Sequence, residues 1–179
     1  AASTALPQAN RAKRWGTAVM ALATFSLLEL VPLAIILRVP GSEPAPTVLI
    51  PQAAGGIALL RGSTILVRNR PSDISAGRLK AVFFLMLFGA TGVMTGGGFQ
   101  LLMRAANHWW YDRDPFAGYL LILSACFSFV TGLLALFTAS HAEWARAEVD
   151  TEPPPYPRPT VYFNRYKPMY WISMALYVT

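Results

Sequence analysis

The chain has 179 residues, 54% of them hydrophobic and only 13% charged. A soluble domain of this size carries roughly 25% charged residues, so the composition excludes water as the main solvent and points to lipid. Lys and Arg number 15 against 9 Asp and Glu; because these basic residues mostly flank apolar runs, they suit anionic headgroups better than nucleic acid.

Residues 1–14 form a polar N-terminal extension that opens Ala1-Ala2-Ser3-Thr4 and ends in Arg11, Lys13 and Arg14. A small, acid-free start of this kind reads as what remains after a targeting segment is removed, which leads to an expectation of import into an organelle. Trp15 then opens an apolar run, and a basic cluster followed by an aromatic anchor marks a membrane interface. Residues 15–38 are assigned as the first transmembrane helix, since about 20 apolar residues suffice to cross the ~30 Å hydrocarbon layer.

Glu29 is the one ionisable side chain within this span, where a charge costs roughly 2.5–3.5 kcal/mol on insertion scales. It needs a partner, a proton or water. The structural reading is a protonated or paired carboxyl bonded to a neighbouring subunit; the functional reading is a proton-relay or cation site. Pro32 removes a backbone donor three residues later and predicts a kink near Glu29.

Residues 39–80 hold Pro40, Pro44, Pro46, Pro51 and Pro71 and read as an extramembrane loop. Within it, residues 47–60 are apolar but too short to span, and Pro51 with the Gly55-Gly56 pair interrupts a helix. A hairpin or an interfacial segment is expected, and residues 63–67 could form a short strand pairing with residues 47–50 across the glycines.

Residues 81–104 form the second expected span, uncharged until Arg104. Gly89, Gly92 and Gly96 recur at spacings of three and four, which leaves one helical face as nearly bare backbone. A connector at 105–115 holds His108, Trp109, Trp110 and Tyr111 beside Asp112, Arg113 and Asp114, an aromatic set of the kind that sits at headgroup level.

Residues 116–140 are the third span, in which Gly118, Ala125, Gly132 and Ala139 repeat every seven residues. This small-residue seam is expected to face the glycines of the second span, because lipid supplies no hydrophobic drive between helices and close packing replaces it. Cys126, the single cysteine, lies mid-span as a spectator thiol, and a disulfide framework is excluded.

The remainder, 141–179, is a C-terminal tail rich in Pro and aromatic residues, and its last eleven residues, 169–179, are half a crossing long. The expected fold is therefore an all-α membrane protein: three transmembrane helices with an extended, Pro-rich extramembrane loop and tail. Three spans put the termini on opposite sides, with Arg11, Lys13, Arg14, Arg104 and Arg113 on one side and the other ten basic residues on the opposite one. That count leaves the orientation undecided.

His108 and His141 follow the ends of consecutive antiparallel spans and cannot clamp one haem, and neither belongs to a zinc-like ligand set. No phosphate loop or Ser-His-Asp set is visible in the sequence, so a non-enzyme without catalytic, cofactor-binding or metal-binding residues is expected. Extensions that lack a core of their own acquire one from a partner. The reading is an accessory subunit of a multi-subunit energy-transducing complex in the inner mitochondrial membrane, a respiratory complex or ATP synthase, acting in assembly, supercomplex bridging and lipid binding.

No intrinsic cofactor is expected; the bound molecule is a phospholipid such as cardiolipin, held by Arg11, Lys13, Arg14, Trp15, Arg104, Trp109 and Trp110. The partners are other membrane subunits and lipid, with no nucleic acid. The alternatives are a small transporter or channel component using Glu29 as its proton or cation site, and a pigment-binding subunit of a photosynthetic complex using Glu29, His108 or His141 as ligands.

Overall fold

The computed structural model describes residues 7–36, 46–107 and 115–149. Its elements are α1 (Pro7–Leu28), α2 (Leu30–Ile36), α3 (Pro46–Arg68), α4 (Ala76–Gly92), a π-helical segment (Val93–Gln100), α5 (Leu101–Asn107) and α6 (Pro115–Val149). These make four helices long and apolar enough to cross a membrane, Pro7–Ile35, Pro46–Arg68, Ala76–Asn107 and Pro115–Val149. The expectation of three spans is thus corrected to four, and no strand occurs among the described residues.

The fourth crossing is α3, in the stretch 39–80 that reads as a loop. Neither the hairpin at 47–60 nor the pairing of 63–67 with 47–50 exists; both segments belong to one 23-residue helix. Pro51 lies close to its start, so the missing N–H forfeits one bond to the first turn, and in lipid no water competes for the rest of the backbone. Pro7, Pro46 and Pro115 each stand at the first position of a helix, where the N–H has no partner to lose. Ser75 caps α4 by accepting from the Arg78 backbone N–H at 3.4 Å.

The other boundaries move outward. The first span starts at Pro7 rather than 15, the third crossing runs from Ala76 to Asn107 rather than 81–104, and α6 continues past residue 140 to Val149. At 35 residues, α6 is about 52 Å long, some 20 Å more than the hydrocarbon layer requires. Residues 7–14 and 141–149 are therefore helical projections of the bundle.

Contacts between helices run in opposite directions along every neighbouring pair. Lys13 meets Asn69 and Gln8 meets His141 at one end, while Leu33, Val48, Leu101 and Leu121 cluster at the other. The arrangement is an up-down-up-down bundle in which α1 and α4 each pack on both α3 and α6. An even number of crossings places the start of α1 and the end of α6 at the same end of the bundle, not at opposite ends.

The polarity is inverted relative to a soluble bundle. Leu28, Ile35, Phe116 and Leu123 are 67–71% exposed, whereas the interior is built largely from Ala, Gly, Ser and Thr. Outward apolar bulk with an inward lining of small side chains is what a lipid solvent selects.

The glycines of α4 face α3 rather than α6. A Cβ on Gly92 would lie 2.6 Å from the Pro51 carbonyl oxygen, one on Gly96 would lie 2.6 Å from that of Val48, and one on Gly55 would lie 2.7 Å from the Val93 nitrogen. The α6 seam, with Gly118, Ala125, Gly132 and Ala139 all buried, meets the adjacent face: Gly132 packs on Met94, and Gly97 on Ser128. One helix can offer two small-residue faces, and α4 with its π-helical continuation uses both.

Candidate functional site

Two apolar cores fill the bundle. One contains Ala12, Val19, Leu59, Leu79, Met86, Ala135 and Ala142; the other contains Leu33, Val48, Leu101, Leu121 and Ala125. Between them, and reaching into the second at Ser124, lies a polar layer drawn from all four crossings: Ser26 and Glu29 from the first, Gln52 from α3, Ser124 and Ser128 from α6, and the glycine-rich π-helical turn.

Glu29 stands where the helix assignment breaks between α1 and α2. Its N–H still bonds to the Phe25 carbonyl at 2.9 Å, and its carbonyl accepts from Leu33 at 3.1 Å. Pro32 has no N–H to return to the Leu28 carbonyl, so that oxygen loses its i+4 donor. By helix rise, Glu29 sits about 21 Å past Trp15 and about 9 Å before Ile35, inside the apolar layer.

The half-buried carboxylate is held from two sides. Gln52 Nε2 donates to Glu29 Oε1 at 2.6 Å, and Ser124 Oγ donates to Glu29 Oε2 at 3.1 Å. Gln52 Nε2 also lies 3.4 Å from Ser26 Oγ. Gln52 and Ser128 are fully buried, yet Gln52 Oε1 and Ser128 Oγ have no hydrogen-bond partner. Buried polar atoms are normally satisfied, so two bare oxygens in one layer require an explanation.

Gly97 explains how the layer closes. A Cβ there would collide with Ser128 Oγ and lie 3.0 Å from Gln52 Cδ, so only glycine lets both polar side chains reach the same point. The eight-residue π-helical segment around it, Val93–Gln100, belongs to a class of distortion frequently found at functional sites.

On the lipid-facing side, the layer opens into a cleft of about 380 Å³ between the first crossing and α6, lined by Phe25, Glu29, Pro32, Leu33, Leu120, Leu123, Ser124 and Phe127. Glu29 is the one ionisable group in that lining, beside Ser124 and six apolar side chains.

Comparison of the chain with protein-family models, with curated proteins and with solved structures gives no match. The site is therefore read from its own residues.

The residues expected to hold lipid headgroups are divided between the two ends. Arg11 and Arg14 are exposed, Lys13 donates to the Asn69 carbonyl at 3.1 Å, and Trp15 stacks on Phe137 with centroids 6.5 Å apart. Arg104 lies at the far end, near the close of α5, so it cannot share a face with Arg11 as a three-span topology required. Trp109, Trp110 and His108 lie outside the described residues, as do residues 169–179. His141 Nδ1 is 3.0 Å from Gln8 Oε1, Glu143 pairs with Arg146 at 2.9 Å, and Cys126 faces outward.

Sequence reasoning isolated Glu29 but missed its partners. Gln52 fell in a segment taken for a loop, and Ser124 and Ser128 lay in a span read for its glycines. The available signal was Gln52, a carboxamide within an apolar run, together with the serines Ser26, Ser124 and Ser128 inside the first crossing and α6.

Proposed function

We propose that the chain is a non-catalytic accessory subunit of a multi-subunit energy-transducing membrane complex, a respiratory complex or ATP synthase of the inner mitochondrial membrane, acting in assembly, subunit bridging and lipid retention. The observation that carries this reading is the projecting end formed by α1 and α6. There Ala9 and Ala12 pack with Ala142 and Ala145 in a small-residue core, and α6 continues well beyond the hydrocarbon layer before the Pro-rich sequence begins.

That end is also strongly basic. Arg11, Lys13, Arg14, Arg68, Arg70, Arg78, Lys80 and Arg146 belong to it by helix direction, whereas Arg104 is the described basic residue at the other end. Such asymmetry supports a reading in which the projecting end is the positive-inside one and binds anionic lipid such as cardiolipin.

The test is purification from native membranes in mild detergent followed by native mass spectrometry. The chain is expected within a particle far heavier than its own 19.6 kDa, with bound anionic phospholipid that falls when Arg11 and Arg14 are replaced by Ala. A lipid-free particle of a single chain would overturn the reading.

A second reading, a transporter or channel component that uses Glu29, is favoured by one observation: the two bare, fully buried oxygens beside the only carboxylate of the polar layer.

A further inference from the structure

We propose that Glu29, Gln52 and Ser124, backed by Ser26 and Ser128, form a binding site for one sodium ion, reached laterally through the apolar cleft. The proposal stands whether the bundle acts alone or inside an assembly. It rests on the donor set, on the break in the first crossing and on the shape of the cleft.

The donor set is made of hard oxygens, the ligands that alkali and alkaline-earth ions prefer. It contains one carboxylate, which neutralises one positive charge; a divalent ion would leave a net charge buried in hydrocarbon, at the cost that excludes unpaired charges there. The site therefore selects a monovalent cation.

A proton on Glu29 supplies one donor, enough for one of the two unpartnered oxygens at Gln52 and Ser128. A metal cation uses several acceptors at once.

The side chains can make the exchange without moving their backbones. Gln52 now offers its N–H to Glu29, and a half-turn of the carboxamide presents Oε1 in its place, because terminal amide torsions are broad and roughly two-fold. The Ser124 hydroxyl, now a donor to Glu29, equally accepts a cation through its lone pairs.

The backbone beside the site has a spare acceptor: Pro32 leaves the Leu28 carbonyl without its i+4 donor, and freed carbonyls in spanning helices are a known source of ligands for sodium and protons. The cleft brings Glu29 to the lipid-facing surface, so a hydrophobic reagent can reach the carboxyl from outside the bundle.

That access supplies the test. Dicyclohexylcarbodiimide adds a protonated carboxyl across one C=N bond, and the O-acylisourea rearranges to a stable N-acylurea with no atom lost. The full-length protein in mild detergent is labelled at constant pH and ionic strength in sodium, potassium or choline chloride, and the Glu29 peptide is followed by mass spectrometry. Labelling is expected in choline, and about tenfold slower once sodium stands at about ten times its dissociation constant, as mass action requires.

Ser124→Ala, which removes one proposed ligand, should lose most of the sodium protection, read as the ratio of its own labelling rates in sodium and in choline so that any change in basal reactivity cancels. In parallel, sodium should raise the melting temperature of the wild type and leave that of Glu29→Gln unchanged. Equal labelling in sodium and choline would overturn the ion site, protection by potassium equal to that by sodium would overturn its selectivity, and an unreactive Glu29 in all three salts would overturn the lateral route.

Discussion

Replacing Gly92 with Ala is expected to destabilise the bundle by about 1–3 kcal/mol, the usual cost of forcing a methyl group into a closed contact. The atoms that the new Cβ meets are backbone, the Pro51 carbonyl oxygen at 2.6 Å and Gly55 Cα at 3.0 Å, and backbone cannot rotate aside as a side chain does. The helices must separate, and separation breaks the approach of α3 along Gly89, Gly92 and Gly96 together. Gly55→Ala, which intrudes on the same contact from α3, should cost a similar amount, and the two losses should not add, because the first already opens the interface. Gly77→Ala is the control: no atom lies within 4 Å of its Cβ, and alanine should favour the helix by about 0.5–1 kcal/mol. Unfolding in mixed micelles with increasing denaturing detergent, followed by circular dichroism, measures all three. Gly92→Ala as stable as wild type would mean that α3 does not pack on α4 at this distance.

Gln52→Leu is expected to cost about 1–3 kcal/mol by leaving the Glu29 carboxylate without the donor at 2.6 Å. The double change Glu29→Leu with Gln52→Leu should recover most of that loss. Removing both partners of a buried polar contact is far cheaper than orphaning one, and serine hydroxyls released from Glu29 can return to their own helix carbonyls. A mutant cycle in the same unfolding assay reads the coupling between the two positions. Strictly additive losses would contradict the hydrogen bond at the centre of the polar layer.

Much of the architecture was legible because lipid imposes one simple demand, a long run without charge. Residues 81–103 and 116–140 satisfy it outright, and residues 16–37 depart from it only at Glu29. α3 was not legible because its residues were weighed by their behaviour in water. Pro51, Gly55 and Gly56 weaken helices where water can take over backbone bonds; within hydrocarbon that competitor is missing, and Gly55 instead lets α4 approach while Gly56 makes room for Leu27 of α1. Arg61 made the apolar stretch look finished, yet it is exposed, seven residues before Arg68, and a long basic side chain can extend its charge across the remaining ~10 Å of helix rise toward the headgroups.

The same misreading hid the site. Glu29 stood out as a lone carboxylate, but its partner lies in the helix taken for a loop. With one crossing missing, the small-residue face of α4 was matched to the wrong neighbour, and Arg104 was placed at the wrong end. The π-helical turn left a trace in Gly96, Gly97 and Gly98, which registered as generic packing; its role emerges only once Ser128 and Gln52 are seen converging on Gly97.

The central claim is that α3 crosses the membrane. In a Cys126→Ala background, Thr47→Cys and Ser72→Cys place single thiols just inside the start of α3 and beyond its end, and a membrane-impermeant maleimide is applied to sealed vesicles of uniform orientation. Four crossings predict opposite behaviour, with one thiol modified at once and the other only after the vesicles are permeabilised. Modification of both from the same side would return residues 46–68 to an extramembrane loop and remove Gln52 from the Glu29 site.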